Sequence, residues 1–320
     1  MPLQTKILKN NPINIAKAIQ LLNENNLVAL PTETVYGLAG NAYSDSAIKK
    51  IYGVKKRPFS NPLIIHFKNI ESALNSIILD ERAELLAQKF WPGPLTLVAK
   101  IKNNLISRIA CSKMKTVAVR VPSHNLFNKI LNQLDFPLAA PSANLYGKIT
   151  PTSANDVKDE LNGKILAIMD GGDSEIGLES TVIDISGSNT SVLRTGSIGN
   201  IKLKTLPLTN LRDNKSFPIS PGMSKCHYQP HTPLRINAKV AYRGEALLAF
   251  GKLPKNFEGP KLSLSREKCL IETAKNLYKM LRILDKQKSK SIAVQKIPST
   301  GLGLAINERL IKASHKIKNG

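Results

Sequence analysis

Cysteine is scarce in this chain: Cys111, Cys226 and Cys269 stand far apart among 320 residues. An odd, scattered set with no CxxC and no paired His/Cys spacing excludes a disulfide framework and the usual zinc sites. No apolar run approaches the ~18–20 residues that cross a bilayer as a helix. The first residues lack the basic stretch, apolar stretch and small-residue cleavage site of a secretory leader, so a cytoplasmic location without membrane contact is expected. Several catalytic signatures are missing as well. There is no GxxxxGK[ST], no GxGxxG after a strand, no GxSxG and no HExxH, which excludes a P-loop, a dinucleotide fingerprint, a hydrolase elbow and a zinc protease. Any ATP site must therefore be of another kind.

Acid is the other deficit. Asp and Glu number 23 against 46 Lys and Arg, a net charge of +23. Residues 1–200 carry 22 basic and 16 acidic side chains, whereas residues 201–320 carry 24 and 7. Two readings of the basic C-terminal third stand side by side. One is a surface for a polyanion such as RNA, where Lys and Arg displace counterions from phosphates; the other is general enrichment in lysine, which supplies 35 of the basic residues.

At roughly 100–200 residues per domain, the length gives room for two cores. Asn11 followed by Pro12, with Ile15, Ala18, Ile19 and Leu22 on one face, predicts a helix running to about Asn25. Short apolar runs predict strands at 27–31, 62–67, 96–101, 116–121, 138–140, 165–170, 180–186 and 191–195, with helices at 45–55, 80–91, 123–134 and 153–161 between them. Prolines at 207, 218, 221, 230 and 233 break this pattern over 196–235, yet Ser220 through Tyr228 is too aromatic for a passive spacer. Strands at 246–251 and 291–297 then alternate with helices near 267–285 and 303–317. The expected fold class is α/β: a mixed twisted-sheet domain over 1–205, a linker or lid over 206–235, and a small Rossmann-like α/β domain over 236–320.

Three segments hold residues with chemical potential, each where a strand ends or a loop begins. In PTETVYGLAG (31–40), Thr32, Thr34 and Gly37 suit close approach to a small ligand, or equally a polar turn that caps a helix. Lys55, Lys56 and Arg57, stiffened by Pro58 and Pro62 around Asn61, form either a cationic loop for triphosphate charge or a solvated face. His66, inside an apolar strand, is a core histidine or a reacting group. Arg120 in TVAVRV is too costly to bury unpaired, so it holds a ligand carboxylate or phosphate, or a structural partner. In the third segment, Ser142 and Asn144 follow a strand and precede Gly147, in position to reach phosphate or adenine.

Taken in order, PTETVYGL at 31–38, the K-x-R of Lys55 and Arg57 with PxxNPLxxH after it, WPGPLT at 91–96, RVP at 120–122, the S-x-N of Ser142 and Asn144, and GLESTVID at 177–184 resemble the Sua5/YrdC/YciO family of threonylcarbamoyl-AMP synthases. SPGMSKCHYQPHTPL at 220–234 resembles the linker of its long, two-domain members, and GLGLAINERLIKAS at 301–314 the end of their C-terminal domain. GLAGNA at 37–42 departs from the tighter glycine run expected, and the C-terminal domain is short.

The resemblance implies a YrdC-like fold and a reaction. L-threonine, bicarbonate or CO2, and ATP give threonylcarbamoyl-AMP and pyrophosphate; a downstream threonylcarbamoyl transferase then makes N6-threonylcarbamoyladenosine in tRNAs that read ANN codons. It implies Thr34, His66, Arg120, Ala140 and Ser180 on the threonine and bicarbonate side, with Arg120 on the amino-acid carboxylate. Arg57, Asn61, Thr116, Ser142, Thr150 and Arg194 are implied on the ATP side, and Lys55, Arg57, Ser142 and Asn144 as the catalytic set, with Lys55 on the phosphates. Tyr228 would reach back over the nucleotide as part of a lid. Mg2+ would arrive on ATP, since the segments offer no carboxylate cage for a metal of the protein's own. Carbamates lose CO2 readily in water, so the site must exclude solvent, which gives the linker a purpose. Two rival readings, an RNA-binding protein without catalysis and a carbamoyl transferase of the hydrogenase-maturation type, are countered by the intact K-x-R and S-x-N and by the missing cysteine motifs.

Overall fold

The computed structural model describes residues 3–198 and 227–315. Cys226 and the part of the expected linker and lid from 206 to 226 lie outside the described residues. After β1 (Lys6–Lys9), α1 (Pro12–Asn23) starts where the sequence indicates. The Asn11 side chain accepts from the Asn14 N–H at 2.9 Å, and Pro12 at the first position has no N–H to satisfy. The chain continues through β2 (Val28–Leu30), β3 (Gly37–Asn41), α2 (Asp45–Lys55), β4 (Ile64–His66), α3 (Ile70–Leu74), β5 (Ile77–Ile78), α4 (Glu81–Phe90) and β6 (Leu95–Ile101). It then forms β7 (Thr116–Arg120), α5 (Asn125–Leu131), β8 (Leu138–Ala139), α6 (Ala154–Leu161), β9 (Ala167–Asp170), β10 (Thr181–Asp184) and β11 (Ser191–Arg194).

These strands make one mixed sheet in the order β1-β9-β2-β3-β8-β4-β7-β6-β10-β11, with β5 beside β6. Successive side chains of β2 go to opposite faces, as the pleat requires: Ala29 joins Leu38, Ile65 and Leu97, while Val28 and Leu30 join Phe127 and Leu138. Both faces are covered, so the inner strands read in sequence as short continuous apolar runs rather than alternating ones. The sequence pattern did not predict β3. Its GLAGN composition opposes strand formation, but Leu27 and Ile51 pack within 2.9 and 3.3 Å of where a Gly40 Cβ would stand, and that packing holds the strand.

A second sheet holds β12 (Leu234–Ala238), β13 (Ala246–Ala249), β14 (Lys261–Ser263) and β15 (Ile292–Gln295), all parallel in the order β12-β15-β13-β14. It packs with α7 (Leu270–Asp285) and α8 (Leu302–Ser314). The fully buried β13 and largely buried β15 were legible as apolar runs; β12 and β14, half-buried at the two edges, were not. The two sheets do not keep separate cores. Val35, Ile149 and Leu178 of the first part pack with Leu248, Leu277 and Ile306 of the second. At the seam Gly177 has φ +76 and lies so close to α7 that a Cβ would stand 2.6 Å from the Lys275 Cα, so only glycine fits. Ion pairs Arg282–Glu160, Lys286–Asp159 and Lys279–Asp173 rim the same seam at 3.0, 2.6 and 2.8 Å. Among the described residues no helix is long and apolar enough to cross a membrane.

Candidate active site

A cleft opens where β4 and β7 end, between the 31–37 loop, the 140–142 turn and the chain that returns at His227. His66 and Arg120 are register partners at the carboxyl ends of β4 and β7, so the imidazole sits beside the guanidinium. Burial first, and then the Arg120 charge, push the His66 pKa down to about 3, and its Nδ1 has no hydrogen-bond partner. His66 is therefore a neutral ring with an unsatisfied nitrogen in a dry wall.

The TETV turn is tied by Thr32, whose hydroxyl donates to the Val35 carbonyl at 2.6 Å and accepts from the N–H groups of Thr34 and Val35. That turn presents Thr34 Oγ1 to Arg120 Nη1 at 2.9 Å. Arg120 also donates from Nε to the Gly93 carbonyl and from Nη2 to Glu33 at 2.6 Å. A guanidinium has five N–H groups, so two remain for a ligand. Arg120 is thus held in the structural ion pair that the sequence offered as one alternative, and it also lines the cleft.

Across the cleft, α2 ends in a left-handed Lys56 (φ 52), an unusual conformation for a residue with a side chain, and the chain doubles back. The reversal brings Arg57 onto its own loop. Nε donates to the Asn61 carbonyl at 3.0 Å, and Nη2 to Asn61 Oδ1 and the Pro62 carbonyl at 2.5 and 2.6 Å. Nη1 keeps its two N–H groups, and burial lowers the Arg57 pKa to about 10, so the group stays charged at neutral pH. Lys55 points elsewhere. Its Nζ donates to the Ser142 and Asn144 carbonyls and lies 3.5 Å from Asn144 Oδ1, with its pKa driven well below the usual range by burial and then by Arg57. Its three N–H groups are engaged, so it ties the K-x-R loop to the S-x-N loop, and contact with a phosphate requires it to release one of these oxygens.

The third wall comes from the GLEST loop and β11. Arg194 donates from Nε and Nη2 to the Ser180 carbonyl, and from Nη2 to Ser180 Oγ at 3.0 Å, while Ser180 Oγ lies 2.7 Å from Thr96 Oγ1. Glu179 accepts from the hydroxyls of Thr150 and Tyr278 and from Arg309 Nε. Against the upward push of burial, the charges of Arg309 and Arg194 and the Thr150 hydroxyl bring the Glu179 pKa to about 2. His227 and Tyr228 close the mouth, with their rings 4.1 Å apart and Tyr228 stacked on Tyr278. Burial first pushes the His227 pKa down to about 3 and the Tyr228 hydroxyl up.

Of the residues singled out in the sequence, Thr34, Arg57, His66, Arg120, Ala140, Ser142, Ser180, Arg194 and Tyr228 line this one cleft. Asn61, Asn144, Thr150 and Lys55 stand behind it: Asn61 clamps Arg57, the Asn144 amide pins its loop on the Leu145 and Lys148 carbonyls, and Thr150 binds Glu179. Thr116 does not line the cleft. It opens β7, four residues and roughly 13 Å along the strand from Arg120. Sequence reasoning missed Glu33, Glu179, Tyr278 and Arg309. The signal for Glu179 was present in GLESTVID; the charged pair Glu308-Arg309 inside the apolar helix AINERLIKA was the signal for the second domain's part.

Fold and site together define a two-domain α/β enzyme that collects anionic groups in a buried cleft lined by three arginines. The domain family Sua5/YciO/YrdC, described as Telomere recombination, matches residues 20–196, and the family described as Threonylcarbamoyl-AMP synthase, C-terminal domain, matches 197–315. A threonylcarbamoyl-AMP synthase of Bacillus subtilis is 39% identical over 97% of this chain and 95% of its own, and one of Pyrococcus abyssi is 38% identical over 93% of each. The crystal structure of P. abyssi Sua5 complexed with L-threonine matches with a TM-score of 0.86 at 33% identity, over 98% of both chains. The chain belongs to the Sua5/YciO/YrdC family in its two-domain form. Its activity is threonylcarbamoyl-AMP synthesis, a nucleotidyl transfer that serves tRNA modification.

Proposed function

We propose that this cleft binds L-threonine, bicarbonate or CO2, and Mg-ATP together and joins them in a fixed order. The threonine amine adds to CO2, or to bicarbonate with loss of water, and gives up a proton to form a carbamate. A carbamate oxygen then attacks the α-phosphorus, the bond to the β-phosphate oxygen breaks, and pyrophosphate leaves. The observation that carries this reading is the charge of the wall. Among the described residues, Arg57, Arg120 and Arg194 line the cleft with a single carboxylate, Glu179, and that carboxylate is held by Arg309. A buried excess of positive charge calls for a ligand with several negative ones.

The unused N–H groups of Arg120, with Thr34, the His66 ring, Ala140 and Ser180, suit the amino-acid carboxylate and the carbamate. Arg57, Ser142, Arg194 and Tyr228 suit the nucleotide, with Asn61, Asn144, Thr150 and Lys55 behind them. The relative from P. abyssi, complexed with L-threonine, supports the first side. Glu179 in the cleft wall and Glu33 behind Arg120 are committed to Arg309, Thr150 and Tyr278 and to Arg120 respectively. They make a poor donor set for a resident cation, so Mg2+ enters as part of its substrate, on the triphosphate. In this reading residues 1–205 carry the chemistry, 206–235 the cover and 236–320 its anchor, all in the cytoplasm. A weak RNA contact of the basic C-terminal region accompanies transfer of the product to a threonylcarbamoyl transferase. The test is incubation with Mg-ATP, labelled bicarbonate and each amino acid in turn. A labelled adenylate and pyrophosphate with threonine are expected; pyrophosphate release undiminished without bicarbonate would overturn the carbamate route.

A further inference from the structure

Glu179 is the single carboxylate among the described residues of the cleft wall, and nothing in the reaction as written uses it. It is 7% exposed, and its oxygens are approached from both halves of the molecule. From the first half comes the Thr150 hydroxyl at 2.8 Å; from the second come the Tyr278 hydroxyl at 2.9 and 3.1 Å and Arg309 Nε at 3.2 Å. The same two second-domain groups hold Tyr228. The Tyr278 ring stacks on it with centroids 5.6 Å apart, and the Arg309 guanidinium lies 5.7 Å from its ring centre. Tyr228 has φ 65, a conformation a tyrosine keeps only when its surroundings impose it. Next to Glu179 in sequence, Ser180 carries the carbonyl and hydroxyl that hold Arg194. One carboxylate therefore touches the supports of both the cover and the floor.

We propose that Glu179 is a positioning residue: it latches Tyr278 and Arg309 of the second domain to Thr150 of the first, so that Tyr228 stays across the cleft while ATP is consumed. The proposal rests on reading the cleft as the adenylation site. Docking of the second domain then sets how well the cleft retains nucleotide and carbamate, although among the described residues only His227 and Tyr228, just before that domain, line it from this side.

The test uses the full chain with Tyr278→Phe, which removes one hydroxyl and leaves the stacked ring, and Glu179→Gln, which keeps the shape and removes the charge. Melting temperature, kcat, KM for ATP and the ratio of pyrophosphate released to threonylcarbamoyl-AMP recovered are measured. For Tyr278→Phe the expected result is a melting temperature within a few degrees of the parent, KM for ATP raised about 5-fold or more, and a ratio above that of the parent. Adding Tyr228→Ala to Tyr278→Phe should give little further loss than Tyr228→Ala alone, because both act through one contact. Parent values of KM and ratio in Tyr278→Phe, or strictly additive losses in the pair, would overturn the latch. Binding of a fluorescent ATP analogue separates the two levels: if the parent makes no adenylate but Tyr278→Phe still weakens the analogue, the reaction assignment fails and the latch stands.

Discussion

Replacing Arg57 with alanine removes a guanidinium that its own loop has already oriented. Asn61 and Pro62 hold Nε and Nη2 at 2.5 to 3.0 Å, so Nη1 meets the ligand without first losing side-chain freedom. Loss of one such preorganised cation opposite developing phosphate charge costs about 3 kcal/mol of transition-state stabilisation, or on the order of 100-fold in turnover. The cost in fold is smaller. The acceptors left behind border the cleft, where water replaces the lost donors, and about 1–2 kcal/mol of stability is expected to go. Arg57→Lys keeps the charge but not the planar fork that Asn61 grips, so a loss of about 10-fold or more is expected there too. Pyrophosphate release with saturating Mg-ATP, L-threonine and bicarbonate measures turnover, and calorimetric titration measures threonine binding. Threonine affinity should stay within about 2-fold of the parent, since Arg120 and Thr34 are bonded independently of Arg57. Unchanged turnover in a folded Arg57→Ala protein would remove Arg57 from the site, and an equal collapse of threonine binding would refute the two-sided assignment.

Arg120→Met leaves Glu33 buried without its partner, so a loss of about 3–5 kcal/mol in chemical denaturation and of measurable threonine binding is expected. Glu179 titrates at about 2 instead of 4.5, so the stability it contributes is full above pH 4.5 and lost as pH falls toward 2; Glu179→Gln should flatten that part of the stability curve by about 3 kcal/mol. His66 and His227 stay neutral in the folded chain down to about pH 3 but protonate near 6.5 when unfolded. Stability should therefore fall as pH drops from 6.5 toward 3, and His66→Asn should make that fall shallower in acid denaturation. Gly177→Ala places a Cβ against the Lys275 backbone in a conformation unfavourable for alanine, and should lower stability by about 1–3 kcal/mol in thermal melts.

What the sequence revealed follows from what burial does to composition. Strands covered on both faces, such as Ile64–His66 and Thr116–Arg120, appear as apolar runs, and the polar residue closing each run lines the cleft. GLAGN reads as loop because its glycines serve close packing, which has no local signature. Motifs name residues without giving direction. Lys55 and Arg57 are two positions apart, yet the left-handed Lys56 between them sends Nζ to backbone carbonyls and the guanidinium to the cleft. Thr116 and Arg120 share a strand whose length puts them at opposite ends. Glu179 and Arg309 are 130 residues apart, and the local signal at each does not name its partner. Only the docking of the two sheets, which no local pattern encodes, makes them partners.

The shared core also orders events during synthesis of the chain. Val35 and Leu178, neighbours of Thr34 and Glu179, find their packing partners in Leu277 and Ile306, much further along the chain. While the ribosome is still making α7 and α8, the large sheet stands with that apolar face bare and its cleft uncovered. A chain that stops before α7 would therefore present an apolar face open to aggregation and proteolysis.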